Sequence, residues 1–295
     1  MGLSEGARGH LAMLCFSALV AGSFSFGSLI ANQIDPVALT AIRFLFAGAV
    51  IGAAAALGPG LRPSYFRAPW RYLLLGGAFA LYFVLMFEGL KTAPPVSTAA
   101  VFTLTPILSG LFGWLLLQQV TTPRMALALA IGGAGALWVI FRADLQALMA
   151  FDIGRGEAIF FVGVVAHAAY TPLVRRLNRG EPTLAFTFGM MLAALLVLGA
   201  YGAPAIAGTD WAALPLRVWL VLGYLAFFAS SMTFVLLQYA AMRLPAAKVM
   251  AYTYLTPSFV IGWEIVLGSG VPRVLILVGV GLTALALALL LKDEG

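Results

Sequence analysis

Between residues 9 and 291 the chain is a succession of apolar runs separated by short polar or proline-containing breaks. A membrane-spanning helix needs about 20 mostly apolar residues. Runs of that kind fall at 9–31, 36–57, 70–91, 95–117, 122–141, 154–175, 182–203, 215–241, 245–267 and 271–291. Inside hydrocarbon only helices and closed barrels satisfy their own backbone polar groups. Barrel strands alternate apolar and polar residues, and these runs do not. The predicted fold is therefore all-α and integral to a membrane, with ten transmembrane helices. Charge agrees: 9% of the residues are charged, against roughly 25% in soluble chains. Ten spans leave only short loops and no room for a separate soluble domain within the 295 residues.

The breaks carry turn chemistry: Asp35-Pro36, Gly58-Pro59-Gly60, Pro94-Pro95, Thr122-Pro123, Asn178 to Pro182, Pro245 and Val271-Pro272. Proline is tolerated in the first turn of a helix, where its missing N–H would be unpaired anyway. Lys and Arg accumulate on the cytoplasmic side of a membrane. Taking the termini and even-numbered loops as one side places Arg8, Arg62, Arg67, Arg71, Arg124, Arg175, Arg176, Arg179, Arg243, Lys248 and Lys292 there. Lys91, Arg142, Arg155, Arg217 and Arg273 fall on the other side, and Arg43 lies within a span. Both termini should thus face the cytoplasm of a bacterial inner membrane, and the first apolar run is read as a retained helix rather than a signal peptide. The net charge of +6 is topogenic on this reading; no basic cluster large enough to follow nucleic acid is present. The lone cysteine, Cys15, excludes an internal disulfide and is expected to pack.

The chain also repeats. Pro94-Pro95 followed by Leu104-Thr105-Pro106 corresponds to Pro245-Ala246 followed by Leu255-Thr256-Pro257, an offset of 151. Asp35-Pro36 corresponds to Glu181-Pro182 at 146, and Gly9 to Gly156 at 147. Each unit, residues 1–150 and 151–295, holds five spans. An odd number forces the second unit to insert upside down relative to the first. Inverted repeats place a substrate near the midplane between the units, and rocking exposes it to each side in turn.

Intramembrane ionisable groups are costly, so each is a candidate. His167, near the middle of the sixth run with Tyr170 three residues on, either lines a cavity or packs against a carbonyl. Arg43 either snorkels to hold a loop carbonyl or takes part in coupling or gating. Glu88 and Lys91 share a helix face and read as a rim ion pair or a gate. Glu264, beside Trp263, either couples protons or reaches interfacial water. Phe79 and Tyr82 share one face, and Thr98, Phe102, Ser230 and Tyr252 lie in hydroxyl- and aromatic-rich runs. A hydrophobic pocket with a few hydroxyl and amide groups suits a neutral or zwitterionic small molecule. Pro106 and Pro257, at equivalent positions within spans four and nine, are expected to kink them and let their ends open and close. Glycines at 132, 133, 135, 279 and 281 allow close helix contact, within one molecule rather than between two, so nothing demands an oligomer.

Together the five-plus-five repeat, Asp35-Pro36 with Ala41-Ile42-Arg43-Phe44-Leu45-Phe46-Ala47, and the two Leu-Thr-Pro segments resemble the EamA-type branch of the drug/metabolite transporter superfamily. The resemblance covers essentially the whole chain. Within the branch it is similar to the YddG-type bacterial exporters associated with aromatic amino acids. It implies a secondary transporter exporting amino acids and related small metabolites, without cofactor or metal. One departure is clear: the family often carries Leu-Gly-Glu at the ends of spans four and nine, where this chain has Leu117-Gln118-Gln119 and Leu267-Gly268-Ser269. Any role of those glutamates does not carry over. Other branches move phosphorylated solutes or nucleotide sugars, which would call on cations such as Arg43 and Lys248. A membrane-embedded enzyme needs a nucleophile–base pair, paired carboxylates or metal ligands, and the sequence offers no such set; a P-loop is absent as well.

Overall fold

The computed structural model describes residues 5–150 and 152–291; Lys292, counted above on the inner side, lies outside them. Every regular element among the described residues is helical. The order is α1 (Glu5–Ser28), α2 (Pro36–Leu57), a 3-10 turn (Pro63–Phe66), α3 (Trp70–Leu90), α4 (Pro95–Phe102), α5 (Thr105–Leu117) and α6 (Pro123–Ile140). After the short α7 (Leu145–Ala150) come α8 (Arg155–Leu177), α9 (Thr183–Gly208), α10 (Leu216–Ala226), a π-helical segment (Phe227–Met232) and α11 (Thr233–Ala241). The chain closes with α12 (Ala246–Ala251), a 3-10 turn (Tyr252–Leu255), α13 (Thr256–Val266) and α14 (Val274–Leu291).

Among the described residues, eight helical runs are long and apolar enough to cross a membrane: α1, α2, α3, α4 with α5, α6, α8, α9, and α10 through α11. The runs expected at 245–267 and 271–291 take another form. The first is divided into α12, a 3-10 turn and α13, and the second is shortened to α14. The expected interior kinks at Pro106 and Pro257 also need correction. The helices break just ahead of these prolines, which then occupy the first turns of α5 and α13, where a missing N–H leaves no intrahelical bond unmade.

Local chemistry explains the starts. Asp35 caps α2, its Oδ1 accepting from the N–H groups of Val37 (2.8 Å) and Ala38 (3.2 Å). Thr122 caps α6 through Met125 N–H. Such caps satisfy donors that a helix start otherwise leaves orphaned. The repeat partner of Asp35 behaves differently. Glu181 makes no cap to α9 and instead pairs with Arg71 at 2.7 Å. Arg71, 1% exposed, also donates to the carbonyls of Leu177 (2.6 Å) and Arg67 (3.0 Å). This clamp ties the start of α3 to the end of α8 and to the α8–α9 loop.

The packing treats the two halves alike. Helix α3 lies against α8, and α1 against α11; α5 lies against α8, and α13 against α1; α2 faces α9, and α6 faces α14. Exchanging each run for its counterpart five runs along converts the first two contacts into each other and the next two likewise. It returns the last two to themselves. Small residues permit the closest approaches. A Cβ built on Gly156 would stand 2.4 Å from the Gly89 carbonyl oxygen, and one on Gly135 would stand 2.6 Å from that of Gly279. Gly281, expected in the same seam as Gly279, faces nothing within 4 Å. Cys15 is exposed on the outside of the bundle rather than packed.

Two outcomes follow. Gly156→Ala should lower stability by about 1–3 kcal/mol through overpacking, while Gly281→Ala should leave the thermal melt of the detergent-solubilised protein unchanged. Burial alone would raise the Glu181 pKa, but the Arg71 hydrogen bond, backbone N–H groups and the guanidinium charge together hold the carboxyl below its usual range. Its contribution is therefore present at neutral pH and lost only as pH falls through that lowered value. Melting temperature followed against pH should drop there in the wild type, with the drop reduced in Glu181→Gln.

Candidate functional site

The centre of the bundle is aromatic. On α3, Phe79, Tyr82 and Phe83 share a face by helical spacing, and all three are buried. Helix α8 supplies Phe160, His167 and Tyr170 from the opposite side, and α4 supplies Phe102. The His167 ring stacks on Phe79 (5.4 Å between centroids, 25° between planes) and lies 4.4 Å from Tyr82 and 5.2 Å from Phe102. Phe79 also meets Tyr170 at 4.2 Å and Phe234 at 4.6 Å. Five of the expected lining residues, Phe79, Tyr82, Phe102, His167 and Tyr170, are thus brought into one cluster. Offset and edge-on aromatic contacts of this kind add to the burial of the rings themselves.

A small cavity of about 10 Å³ sits in this cluster. Its walls are Phe16, Val20 and Ser23 of α1, the three aromatics of α3, His167 of α8, and Thr233 and Phe234 of α11. That volume is about the minimum for one water molecule. Two polar wall atoms, Ser23 Oγ and His167 Nδ1, are buried without a hydrogen-bond partner. Beside the cavity, Gln238 Nε2 donates to the Tyr170 hydroxyl (2.9 Å), which donates to the Met190 sulfur (2.9 Å).

Arg43 is 0% exposed. Its Nε donates to Ser230 Oγ (2.5 Å) and its Nη2 to the Ala229 carbonyl (2.6 Å). The Ser230 hydroxyl gives its own proton to the Leu225 carbonyl (2.7 Å), leaving a lone pair for the guanidinium. Both acceptors lie in the π-helical segment, where the i to i+5 pattern displaces carbonyls from their usual partners. The guanidinium carbon lies 4.0 Å from the centroid of Phe83, a cation–π contact.

The remaining candidates lie apart from the cavity. Thr98 returns its hydroxyl to Pro94 O (2.9 Å). Tyr252 stands by the first turns of α1, its hydroxyl 3.2 Å from His10 Nδ1. Glu88 pairs with Lys91 at 2.7 Å in a partly exposed position. Glu264 is half-buried, with Oε1 lacking a partner. Sequence reasoning missed Phe16, Ser23 and Phe234, although Phe16, Val20 and Ser23 do fall on one helical face. It also missed Glu157, a buried carboxylate in the first turn of α8 that accepts from Ser97 Oγ (2.7 Å). Glu157 and Ser97 face a larger cleft of about 600 Å³ that also presents Arg142, Asp144, Asp152 and Arg273. Among the described residues no group of three or more His, Cys, Asp or Glu side chains could hold a metal ion.

Comparisons with known proteins agree with this architecture. The description "EamA-like transporter family" matches twice, at residues 7–141 and 154–292. An uncharacterized transporter of Bacillus subtilis, YyaM, is 27% identical over 283 residues, covering 92% of both chains. The aromatic amino acid exporter YddG of Ancylobacter novellus is 34% identical over 131 residues, 44% of this chain and 43% of that one. A crystal structure at 22% identity superposes with a TM-score of 0.72 over 94% of this chain and 95% of the other, a likeness of fold.

The Tyr170 relay gives a direct check. Tyr170→Phe leaves the buried Gln238 amide with only the long contact to the Met190 sulfur (4.0 Å), and should cost about 1–3 kcal/mol in thermal or denaturant unfolding of the purified protein.

Proposed function

The chain belongs to the EamA-like transporter family, and on that premise we propose that it is a secondary transporter that exports amino acids, aromatic and apolar ones foremost, with related small metabolites, across the bacterial inner membrane by alternating access. The observation that carries this reading is the aromatic cavity at the meeting point of α1 and α3 from the first matched segment and α8 and α11 from the second. A closed apolar pocket with a few unsatisfied polar groups suits a zwitterion with a ring or branched side chain. One relative is named an aromatic amino acid exporter, which supports the solute class. Members of the family are transporters, which points away from enzymatic chemistry.

In this reading the broken run α12–α13 is the ninth span and α14 the tenth. The units 1–150 and 151–295 are inverted copies, an arrangement supported by the exchange of packing partners between the halves. Both termini face the cytoplasm, following the bias of Lys and Arg toward one set of loops. Phe79, Tyr82, Phe102, His167 and Tyr170 contact the solute once the cavity opens, and Thr98, Ser230 and Tyr252 line its route. The breaks ahead of Pro106 and Pro257 are the hinges by which the half-helices swing. Glu88 and Glu264 act at the rim, Glu88 through its pair with Lys91.

Counterflow in proteoliposomes tests the proposal. Vesicles preloaded with phenylalanine, tryptophan or tyrosine should take up labelled phenylalanine faster than empty ones, and Phe79→Ala should raise the half-saturating concentration by about tenfold. Absence of exchange for every amino acid by folded protein would overturn it. Repeating the assay with an imposed pH gradient, in wild type and Glu264→Gln, reports whether protons are coupled.

A further inference from the structure

We propose that Arg43 is the carboxylate anchor of the solute site, and that Phe83 covers it until solute arrives. The proposal rests on the transport reading above and names the chemical group that the site selects. Two arginines of this chain are almost wholly buried, Arg43 and Arg71. Arg71 has a carboxylate, Glu181, at 2.7 Å. Arg43 forms no ion pair among the described residues. A buried charge normally persists only when paired, because desolvation outweighs what neutral hydrogen bonds return.

The three nitrogens of Arg43 are used unequally. Nε and Nη2 are fixed by Ser230 Oγ and Ala229 O, both in the π-helical segment. These two bonds set the plane of the guanidinium. Nη1 is buried with no acceptor. The charge is thus held in one orientation with donor capacity left over, which is the form in which a guanidinium recognises a carboxylate.

Its location fits. The guanidinium carbon stands 4.0 Å from the centroid of Phe83, and that ring is a wall of the central cavity. The cavity holds two more orphaned polar atoms, Ser23 Oγ on α1 and His167 Nδ1 on α8. Rotation of the Phe83 ring would exchange a weak cation–π contact for an ion pair and widen the cavity in the same motion. Ser23 and His167 remain for the solute's other polar groups, with Phe79 and Tyr82 for its side chain. A single guanidinium behind Phe83 matches one carboxylate; a phosphate dianion would call for a second cation, and no Lys or Arg is among the residues that line the cavity itself.

The test uses the full chain in proteoliposomes and compares solutes that differ only at the carboxylate. In wild type, L-phenylalanine should compete for counterflow at least about tenfold better than L-phenylalaninamide, the difference expected for a charge-assisted contact. Arg43→Lys should reduce that ratio to about threefold or less. Equal competition by acid and amide in wild type would overturn the proposal while leaving amino-acid transport standing, and that comparison needs no variant. If no amino acid is exchanged, the transport reading for amino acids fails instead. The anchor is then decided by thermal shift of the detergent-solubilised wild type with phenylacetate against phenylacetamide. Stabilisation by the acid alone supports Arg43 as a carboxylate site, and equal shifts or none overturn it.

Discussion

Backbone polar groups inside a bilayer have no water to turn to, and every departure from α-helix in this chain is shaped by that constraint. Among the described residues, the helices are interrupted within apolar runs between α4 and α5, across Phe227–Met232, and across Tyr252–Leu255. Each interruption is dressed by hydroxyls from its own neighbourhood. Thr103 donates to Ala100 O and Thr105 to Phe102 O. Ser230 and Ser231 donate to the carbonyls five residues back, and Thr253 donates to Met250 O. A break in the hydrogen-bond ladder survives at these points because side chains rather than lipid meet the freed carbonyls.

The same bonds explain which parts of the site could be read from the sequence. Phe79 and Tyr82, spaced along α3, and His167 with Tyr170 along α8 are legible because helical periodicity alone sets which residues share a face. Thr98 and Ser230 were legible only as polar residues within apolar runs, and periodicity does not say whether a hydroxyl serves a solute or its own helix. In the folded chain Thr98 bonds Pro94 O and Ser230 bonds Leu225 O. The span limits were readable to within a few residues at Asp35-Pro36 and Thr122-Pro123, where capping is local. The π-helical segment left no such mark. Its residues, FFASSM, have nothing that distinguishes them from continuous helix, and its contacts with Arg43 come from another element. Glu181 shows the converse: a position matched by repeat to the cap Asp35 has been diverted to hold Arg71.

Charge follows the same logic. Arg71 sits at a helix end, its two terminal nitrogens held by a carboxylate and two carbonyls. Arg43 lies deeper, with one hydroxyl, one carbonyl and an aromatic face. Equal burial therefore conceals unequal compensation: Arg71 has a carboxylate to neutralise it, and Arg43 forms no ion pair among the described residues. The hydrogen-bonded series Gln238–Tyr170–Met190 plays a fastening role on the far side of the cluster. It joins α11, α8 and α9 behind the rings that wall the cavity.

The smallness of the central cavity carries a thermodynamic consequence. At about 10 Å³ it cannot admit an amino acid, so the form that binds must be a more open one. When the competent form is only about one molecule in a hundred, the apparent affinity falls about a hundredfold below the intrinsic one. A carrier restrained in this way saturates late. On the proposed function it would respond to the size of the internal pool, draining an excess and largely ignoring the basal level. The aromatic packing that closes the site would thus act as the set-point of the exporter.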